Sequence, residues 1–471
     1  MKPLSGLDAL FLHLETPETP MHVGALHLLG APPGDASAYV AAVRRHLAAR
    51  LHLSPVFTRR LAPMPFALAN PVWVRTDTVD LRTHVRHVRL PAPGTFAQLE
   101  ATVARLHARP LERDRPLWRL HVIEGLASGE LALYTKIHHA TLDGAASVAF
   151  ANALLDSTPR PREVPASGQS ARGEHPGLAA MLATVARISV VQAVRAVRRL
   201  PDLSGVLTAL VARSDPASGP GPRRGSFRFA PRTPLNASIG RARAVATLSI
   251  PLPAVLRVAD RHQVTVNDVV LAVVSGALRR HLTSHGGLPT ESMLAAVPVS
   301  LREAGNTDAT TLATMSRMGL ATDVPEPLAR LQAIHAGSGR TKALTRELRS
   351  IIPTDFPTLG MPWLFGAAAA LYGRARLADR IPPLANLVIS NFPGPTTPLY
   401  LAGARLLTWW PLSIVEHGLA VNVTAQSYAG SLEFGIVAAR DALRDTAGFA
   451  HAMREAFAEL QALRGRAGSA T

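Results

Sequence analysis

The chain of 471 residues contains 50 lysines and arginines against 33 aspartates and glutamates, which gives a formal net charge of +17. Hydrophobic residues make up 47% of it and charged residues 18%, a balance that excludes an intrinsically disordered protein. It has no cysteine, so disulfides, thiolate nucleophiles and zinc–thiolate sites are also excluded. The length exceeds that of one ordinary core and favours two domains.

Helices and strands are mixed in the amino-terminal part. The predicted helices are Ala38 to Leu51, with Ser37 as a candidate N-cap, and Thr95 to Ala108. The predicted strands are His22 to Leu29, Leu117 to Glu124 and Glu130 to His138. The last two strands are expected to form a hairpin through Gly125 to Gly129, which would make them antiparallel neighbours in one sheet.

The end of the last of these strands carries the most informative segment, His138-His139-Ala140-Thr141-Leu142-Asp143-Gly144. Side chains alternate along a strand, so His139 shares a mostly apolar face with Leu131, Leu133, Thr135 and Ile137, and His138 lies on the opposite face. This parity places His139 inward, where a neutral imidazole can act as a base. Asp143-Gly144 favours a turn that closes the segment. A lone buried histidine is more often a core residue, but the complete HHxxxDG string favours a functional site.

Two stretches rich in proline, glycine and serine, Ser157 to Gly177 and Asp215 to Pro234, are predicted to be loops or linkers. Between them, Leu178 to Ala212 has helical periodicity, with arginines at intervals among apolar positions. It is either a helical connector packed across two domains or a basic amphipathic surface that touches lipid. These boundaries predict an amino-terminal domain of residues 1–176, a connector of residues 177–234 and a carboxy-terminal domain of residues 235–471.

The carboxy-terminal part repeats the mixture of helices and strands. The predicted helices are Leu252 to His262, Val266 to His281 and Thr446 to Leu463, the last with Asp445 as its N-cap. The predicted strands are Ala244 to Ile250, Leu294 to Val299, Leu387 to Ser390, Gly418 to Ser427 and Ser431 to Ala438. Tyr428-Ala429-Gly430 is the expected hairpin turn between the last two. The two halves are therefore expected to be mixed α/β units of similar make-up.

Eight short motifs follow one another along nearly the whole chain. They are Pro20-Met21-His22-Val23-Gly24, Pro116-Leu117-Trp118, the HHxxxDG segment, Thr233-Pro234-Leu235-Asn236, Asn267-Asp268, Val297-Pro298-Val299-Ser300-Leu301-Arg302, Ser390-Asn391-Phe392-Pro393-Gly394-Pro395, and His417-Gly418 followed by Gln426-Ser427-Tyr428-Ala429-Gly430. In this ordered set the chain resembles the bacterial wax ester synthase/acyl-CoA:diacylglycerol acyltransferases. HHxxxDG alone is shared with other acyl-CoA-dependent acyltransferases and with peptide-synthetase condensation domains. The chain lacks the DFGWG motif of the plant branch and has no carrier-protein module.

The resemblance implies a mixed α/β fold of two chloramphenicol-acetyltransferase-like domains with an active-site channel between them. It also implies transfer of a long-chain fatty acyl group from acyl-CoA to a long-chain alcohol or to diacylglycerol. Acyl-CoA would be a substrate, and no cofactor would be permanently bound. No metal is expected, because HHxxxD lacks a third ligand at the usual spacing and alcoholysis of a thioester does not require a metal.

This chemistry assigns roles within HHxxxDG. His139 is the expected general base, which takes the hydroxyl proton and returns it to the departing thiolate. His138 is expected to support or pack rather than to act as a second base. Asp143 either orients the imidazole or pairs with an arginine, for which Arg302 is a candidate, and the resemblance favours this bracing role. Gly144 either allows close backbone approach or is a simple turn glycine.

Four further positions have both a structural and a functional interpretation. Asn267 and Asp268 open a predicted helix and are either an N-cap pair or, for Asn267, an amide donor to the oxyanion in the active channel. Trp118 enters a strand as a core indole or lines the channel. Asn391 lies in the Ser390 to Pro395 segment, which is predicted to be a rigid turn after an apolar strand. No phosphate-binding glycine motif is present, so coenzyme A is expected to meet scattered arginines at the channel mouth.

Other functions remain open at this point. The acceptor could be a different lipid or polyketide alcohol, or the chain could be a non-catalytic protein of lipid surfaces. Nucleic acid is not expected as a partner, because aromatic residues make up only 5% of the chain and do not alternate with basic ones. The first fourteen residues lack the features of a signal peptide, and no apolar run reaches the roughly 18 residues of a membrane span. A cytoplasmic protein peripheral to membranes or lipid droplets is therefore predicted.

Overall fold

The computed structural model describes residues 1–4, 6–30, 34–142, 144–165, 173–188, 190–191, 194, 228–300, 313–348 and 362–463. The strands are β1 Lys2–Pro3, β2 His22–Leu29, β3 Arg59–Ala62, β4 Val72–Arg75, β5 Val85–Arg89, β6 Trp118–Glu124, β7 Leu131–His138, β8 Arg243–Pro251, β9 Leu294–Ser300, β10 Ala313–Gly319, β11 Leu387–Phe392, β12 Tyr400–Leu401, β13 Ala404–Arg405, β14 Trp410–Leu412, β15 Val421–Tyr428 and β16 Ser431–Ala439. The helices are α1 Gly6–Leu14, α2 Ala36–Ala48, α3 Pro55–Thr58, α4 Leu81–His84, α5 Phe96–His107, α6 Gly144–Leu154, α7 residues 178–188, α8 Leu252–His262, α9 Val266–Ser284, α10 Pro327–Leu348, α11 Pro362–Arg374 and α12 Thr446–Ala462. The predicted mixed α/β class is confirmed.

Two larger sheets organise the fold. One has five strands in the order β14-β2-β7-β6-β5, and the other has six in the order β10-β9-β11-β15-β16-β8. The predicted hairpin of β6 and β7 is confirmed, because these strands pair antiparallel. Strand β14 comes from the carboxy-terminal part of the chain, yet it pairs with β2 of the first sheet. The two parts of the chain therefore share one sheet, which the sequence did not predict.

A glycine allows the two sheets to meet beside β14. A Cβ atom at Gly435 in β16 would lie 1.7 Å from the carbonyl oxygen of Pro411 in β14, a distance that no side chain can occupy. Only a residue without a side chain fits between these two backbones. The close approach at Gly435 therefore fixes how β14 lies against the six-stranded sheet.

Strand β7 is buried over its whole length, and its alternating side chains join two different cores. Leu131, Leu133 and Ile137 pack with Trp118 in one apolar cluster. Residues of the opposite face, including Tyr134, belong to a second cluster that contains residues of β14 and β16. The predicted alternation is therefore confirmed within the strand, with both faces covered, but it does not extend to His139, because β7 ends at His138.

Local sequence signals predicted the bounds of several elements correctly and misplaced those of others. The bounds of β2 and α8 are as predicted, and Asp445 caps α12 by accepting a hydrogen bond from the backbone N–H of Gly448. The candidate N-cap Ser37 is wrong, because Asp35 accepts from Ala38 N and α2 already begins at residue 36. Of the predicted helix Leu178 to Ala212, residues 178–188 are helical and much of the rest lies outside the described residues.

We predict that Gly435→Ala destabilises the protein, because the added methyl group would force β14 away from β16. Overpacking of this kind costs about 1–3 kcal/mol, measured as a fall in the free energy of urea unfolding. The matched control is Gly339→Ala in α10, where an added Cβ meets nothing within 4 Å. That control should be neutral or more stable, and equal stability of both variants would contradict the close approach at Gly435.

Candidate active site

A short 3-10 turn, His139–Thr141, directly follows β7 and closes the strand. The Nδ1 atom of His138 accepts a hydrogen bond from Ala140 N at 3.1 Å, and the Thr141 hydroxyl donates to the His138 carbonyl at 2.7 Å. The strand is thus already closed at His139–Thr141, whereas the turn predicted at Asp143-Gly144 falls partly outside the described residues. Gly144 begins α6, and Asp143 and its candidate partner Arg302 lie outside the described residues.

The segment from α1 to β2 covers this turn from outside. The backbone N–H of His139 donates to the Met21 carbonyl at 2.9 Å, and Leu142 N donates to the His139 carbonyl at 3.0 Å. The ring of Phe11 in α1 stacks on the imidazole of His139, with centroids 3.9 Å apart and planes inclined by 23°. Backbone hydrogen bonds and one aromatic face therefore hold His139 in place.

His138 is completely buried and faces a carboxylate. Because Nδ1 accepts from Ala140 N, a neutral ring carries its proton on Nε2, which lies 3.4 Å from Oε1 of Glu15. Oε1 also accepts from the backbone N–H of Met21, and Arg113 contacts Oε2 at 2.8 Å. This placement agrees with a supporting role for His138, since neither ring nitrogen points to open space.

Glu15 remains ionised in this enclosed position. Burial alone would raise the pKa of its carboxyl group, but the interactions with His138 and Arg113 lower the pKa to about 2. The carboxylate is thus the charged centre that joins α1, the start of β2 and the end of β7. Sequence reasoning missed Glu15, Arg113 and Phe11, because only the tertiary fold brings residues 11–15 against residue 139.

His139 is the less buried histidine of the pair, since it is half-buried whereas His138 is completely buried. Burial, assisted by the neighbouring His138, lowers the pKa of His139 to about 4. Within the described ranges its ring nitrogens make no hydrogen bond to any other residue, and the backbone acceptor within reach is its own carbonyl. At neutral pH the site therefore presents an uncharged imidazole whose nitrogen is available to an incoming proton donor.

Asn267 and Asp268 occupy different positions from those expected of an N-cap pair. Thr265 caps α9, and Asp268 is the third helical residue of a capping box with it. Asp268 is fully buried and also accepts from Ser338 Oγ at 2.6 Å and from His335 Nδ1 at 2.7 Å, so it ties α9 to α10. The Asn267 side chain is half-buried and forms no hydrogen bond with the described part of the chain.

The two remaining predicted positions are structural. Trp118 is 1% exposed and its indole N–H donates to the Phe57 carbonyl at 3.2 Å, so it is a core residue and does not line a channel. Asn391 lies in strand β11, opposite Ala425 of β15, and the rigid turn predicted for it begins only after Phe392.

The described residues contain neither a cluster suited to a metal ion nor a helix suited to span a membrane. No group of three or more histidine, aspartate or glutamate side chains is arranged there to hold a metal ion. No helix in the same ranges is long and apolar enough to cross a membrane.

Comparison with family models identifies both parts of the chain. Residues 4–270 match the wax ester synthase/diacylglycerol acyltransferase catalytic domain, and residues 313–461 match the WS/DGAT C-terminal domain. The chain belongs to the wax ester synthase/diacylglycerol acyltransferase family. As a member of this family it is an acyltransferase, which confirms the resemblance carried by the eight motifs.

Relatives and solved structures agree with the family. A putative diacylglycerol O-acyltransferase of Mycobacterium tuberculosis is 36% identical over 93% of this chain and 94% of its own length. A probable diacylglycerol O-acyltransferase of the same species, tgs2, is 35% identical over 92% of this chain and 93% of its own. The structure of the wax ester synthase/diacylglycerol acyltransferase from Marinobacter aquaeolei VT8 matches with a TM-score of 0.69 and 31% identity, covering 98% of this chain and 99% of that one.

A second structural match shows the fold alone. The first condensation domain of the CDA synthetase aligns with a TM-score of 0.52 at 15% identity, over 98% of this chain and 96% of that domain. The acyltransferase therefore shares its overall fold with this condensation domain.

We predict that Glu15→Gln lowers stability in a pH-dependent way. The carboxyl pKa is 4.5 in the unfolded chain and about 2 in the folded one, so the stabilisation is complete above pH 4.5 and disappears as the pH falls towards 2. At pH 7 the free energy of unfolding should drop by about 3 kcal/mol, from the size of the pKa shift. The exposed control Glu163→Gln should change little, and a Glu15→Gln deficit that persists unchanged at pH 3 would contradict the ionised role.

Proposed function

We propose that this acyltransferase moves a long-chain acyl group from acyl-CoA to the hydroxyl of a fatty alcohol or diacylglycerol, with His139 as general base. The observation that supports it is the His139 imidazole itself. It is held by the Met21 carbonyl and the Phe11 ring, is uncharged at neutral pH, and forms no ring-nitrogen hydrogen bond with any other described residue. Family membership supplies the reaction type, and the imidazole supplies the base.

The reaction uses this one group twice. The imidazole nitrogen takes the hydroxyl proton while the alcohol oxygen attacks the thioester carbonyl, and a tetrahedral oxyanion forms. When the oxyanion collapses, the carbon–sulfur bond breaks and the imidazolium returns its proton to the thiolate of coenzyme A. An imidazolium with a pKa of about 4 releases a proton readily, which favours this second transfer. Positioned acid–base catalysis of this kind contributes about 10²–10⁴-fold.

Other residues are assigned supporting roles. His138 anchors the turn through Glu15 and the Ala140 N–H, so it positions His139 without touching substrate. Asn267 lies in the first turn of α9, where a side-chain amide and the positive end of the helix could both stabilise an oxyanion. Asp143 is proposed to brace the turn rather than to contact the imidazole.

We predict that His139→Ala abolishes acceptor-dependent release of coenzyme A from palmitoyl-CoA, with a loss of about 10²-fold or more. Thiol release is measured with hexadecanol, with dipalmitoylglycerol and without acceptor, and the better acceptor identifies the product. The matched control is the exposed His285→Ala, which should retain wild-type rates. The mechanism would be contradicted if His139→Ala were as active as the wild type, or if thiol release needed no acceptor. If the wild type were inactive with both alcohols, the acceptor would be a different lipid or polyketide alcohol.

The pH dependence gives a second, independent readout of the same base. Because burial lowers the pKa of His139 to about 4, kcat/KM should be nearly constant from pH 6 to 8 and should fall only as the pH drops towards 4. An inflection near the ordinary histidine value of about 6.5 would instead indicate a base in open solvent. Circular dichroism at each pH separates loss of the base from loss of the fold.

We also propose peripheral contact with a lipid surface through residues around α7. Met181, Val185 and Ile188 of α7 pack on the small core of β3 and β4, whereas Leu178 and Leu182 are exposed. In the neighbouring turn Pro65–Ala67, Phe66 is 85% exposed and has a φ of 54°, a strained conformation for an aromatic residue. Leu68 beside it is 52% exposed. Large apolar side chains held in solvent in this way favour insertion into an interface.

We predict that Phe66→Ser with Leu68→Ser weakens co-sedimentation with phosphatidylglycerol vesicles by about tenfold or more, from the apolar area that each side chain would bury. The control pair Leu256→Ser with Leu384→Ser removes two leucines that are 42% and 58% exposed elsewhere on the molecule. Equal binding by both double variants would contradict this contact, and unchanged thermal unfolding confirms that each is folded.

A further inference from the structure

Two arginines stand directly opposite each other in the small sheet of β1, β3 and β4. In the antiparallel pair of β3 and β4, Arg59 faces Arg75, and Leu61 faces Trp73. Like charges in directly opposed positions destabilise a sheet. Neither arginine forms an ion pair with a carboxylate of the described residues. The repulsion between the two arginines lowers the stability of the sheet. We therefore expect the pair to serve a function that needs its positive charge, such as binding an anion.

Both arginines line the same pocket. Its volume is about 420 Å³, and Lys2, His52, Arg59, Trp73 and Arg75 contribute to its wall. The acidic side chain of the lining, Glu174, contacts the amino group of Met1 at 2.8 Å and neither arginine. The pocket therefore has a positive wall whose charge the described part of the chain leaves unbalanced.

The two faces of this small sheet point to different neighbours. Ala62, Val72 and Val74 lie under α7, on the side that carries the exposed apolar residues. Leu61 and Trp73 belong to the opposite cluster, which contains Ala140 of the catalytic turn. Because side chains two residues apart share a face, Arg59 and Arg75 lie on the same side as Trp73, about 7 Å further along the strands.

We propose that this pocket, built on Arg59 and Arg75 with Lys2 and His52, binds the phosphate groups of a phosphate ester, and that the ester is the nucleotide end of the coenzyme A donor. Paired guanidinium groups match phosphate oxygens in charge and geometry, and their mutual repulsion is relieved when an anion lies between them. The face they occupy leads through Trp73 to the residue after His139, which favours the acyl donor over a lipid headgroup. The identity of the donor rests on the proposed function, whereas the phosphate site does not.

The test is binding without turnover. Coenzyme A, 3′,5′-adenosine bisphosphate and pantetheine are titrated calorimetrically into the wild type, into Arg59→Gln/Arg75→Gln, and into the control Arg45→Gln/Arg454→Gln, which removes two exposed arginines on α2 and α12. The pocket variant should bind coenzyme A and the bisphosphate at least tenfold more weakly, bind pantetheine as the wild type does, and unfold at no lower temperature. The control should bind all three as the wild type does. The difference should shrink at high salt.

Kinetics and vesicles distinguish the remaining outcomes. For the pocket variant we expect a raised KM for palmitoyl-CoA, an unchanged kcat and an unchanged KM for the palmitoyl thioester of pantetheine. Loss of binding to phosphatidylglycerol but not phosphatidylcholine vesicles, with coenzyme A binding intact, would confirm the phosphate site with a lipid headgroup as its source. Unchanged binding to all these ligands would overturn the proposal. If the wild type is inactive but the Arg59→Gln/Arg75→Gln variant still binds coenzyme A more weakly than the wild type does, the proposed function is contradicted and the phosphate site is retained.

Discussion

Removal of β7 from water on both faces is the constraint on which the site depends. The strand carries titratable side chains into two packed clusters, where desolvation favours their neutral forms. Burial lowers the pKa of Lys136 to about 7, and its ammonium group donates to the carbonyl oxygens of Leu106, in the last turn of α5, and of Arg109, just after it. The same cause acts on His139 at the end of the strand. An uncharged imidazole is therefore a consequence of where the strand lies, and no dedicated hydrogen-bond partner is needed to keep it uncharged.

The short segment before β2 supplies the remaining contacts to the turn that follows β7. Phe11, Glu15 and Met21 supply an aromatic face, a buried charge and a backbone acceptor to the same turn. The charge is the most demanding of these, because a buried carboxylate is tolerated only when cations and N–H donors surround it. Arg113 meets that requirement from a different loop. The His139–Thr141 turn is thus held by a network whose members are far apart in sequence.

The sequence predicted what short-range patterns determine. Alternation in β7, the bounds of β2 and α8 and the cap at Asp445 follow from periodicity and from side-chain hydrogen bonding to nearby backbone. The order of eight motifs was sufficient for the family. Contacts across long distances were not predictable in this way. Nothing in the local sequence distinguishes Glu15 from an exposed glutamate. The Asn267-Asp268 pair resembles a helix N-cap in the sequence, and only the structure shows that Asp268 accepts hydrogen bonds from His335 and Ser338.

The pairing of β14, from the carboxy-terminal part of the chain, with β2 has a consequence for folding during synthesis. Strand β2 is complete once residue 29 has been made, but its partner on one side ends at residue 412. Until then the first sheet has an open edge with unpaired backbone groups, a surface that attracts other strands. The β2 edge of this sheet can therefore be covered only after nearly the whole polypeptide has been made, and a chain that stops between these points keeps that edge open to aggregation.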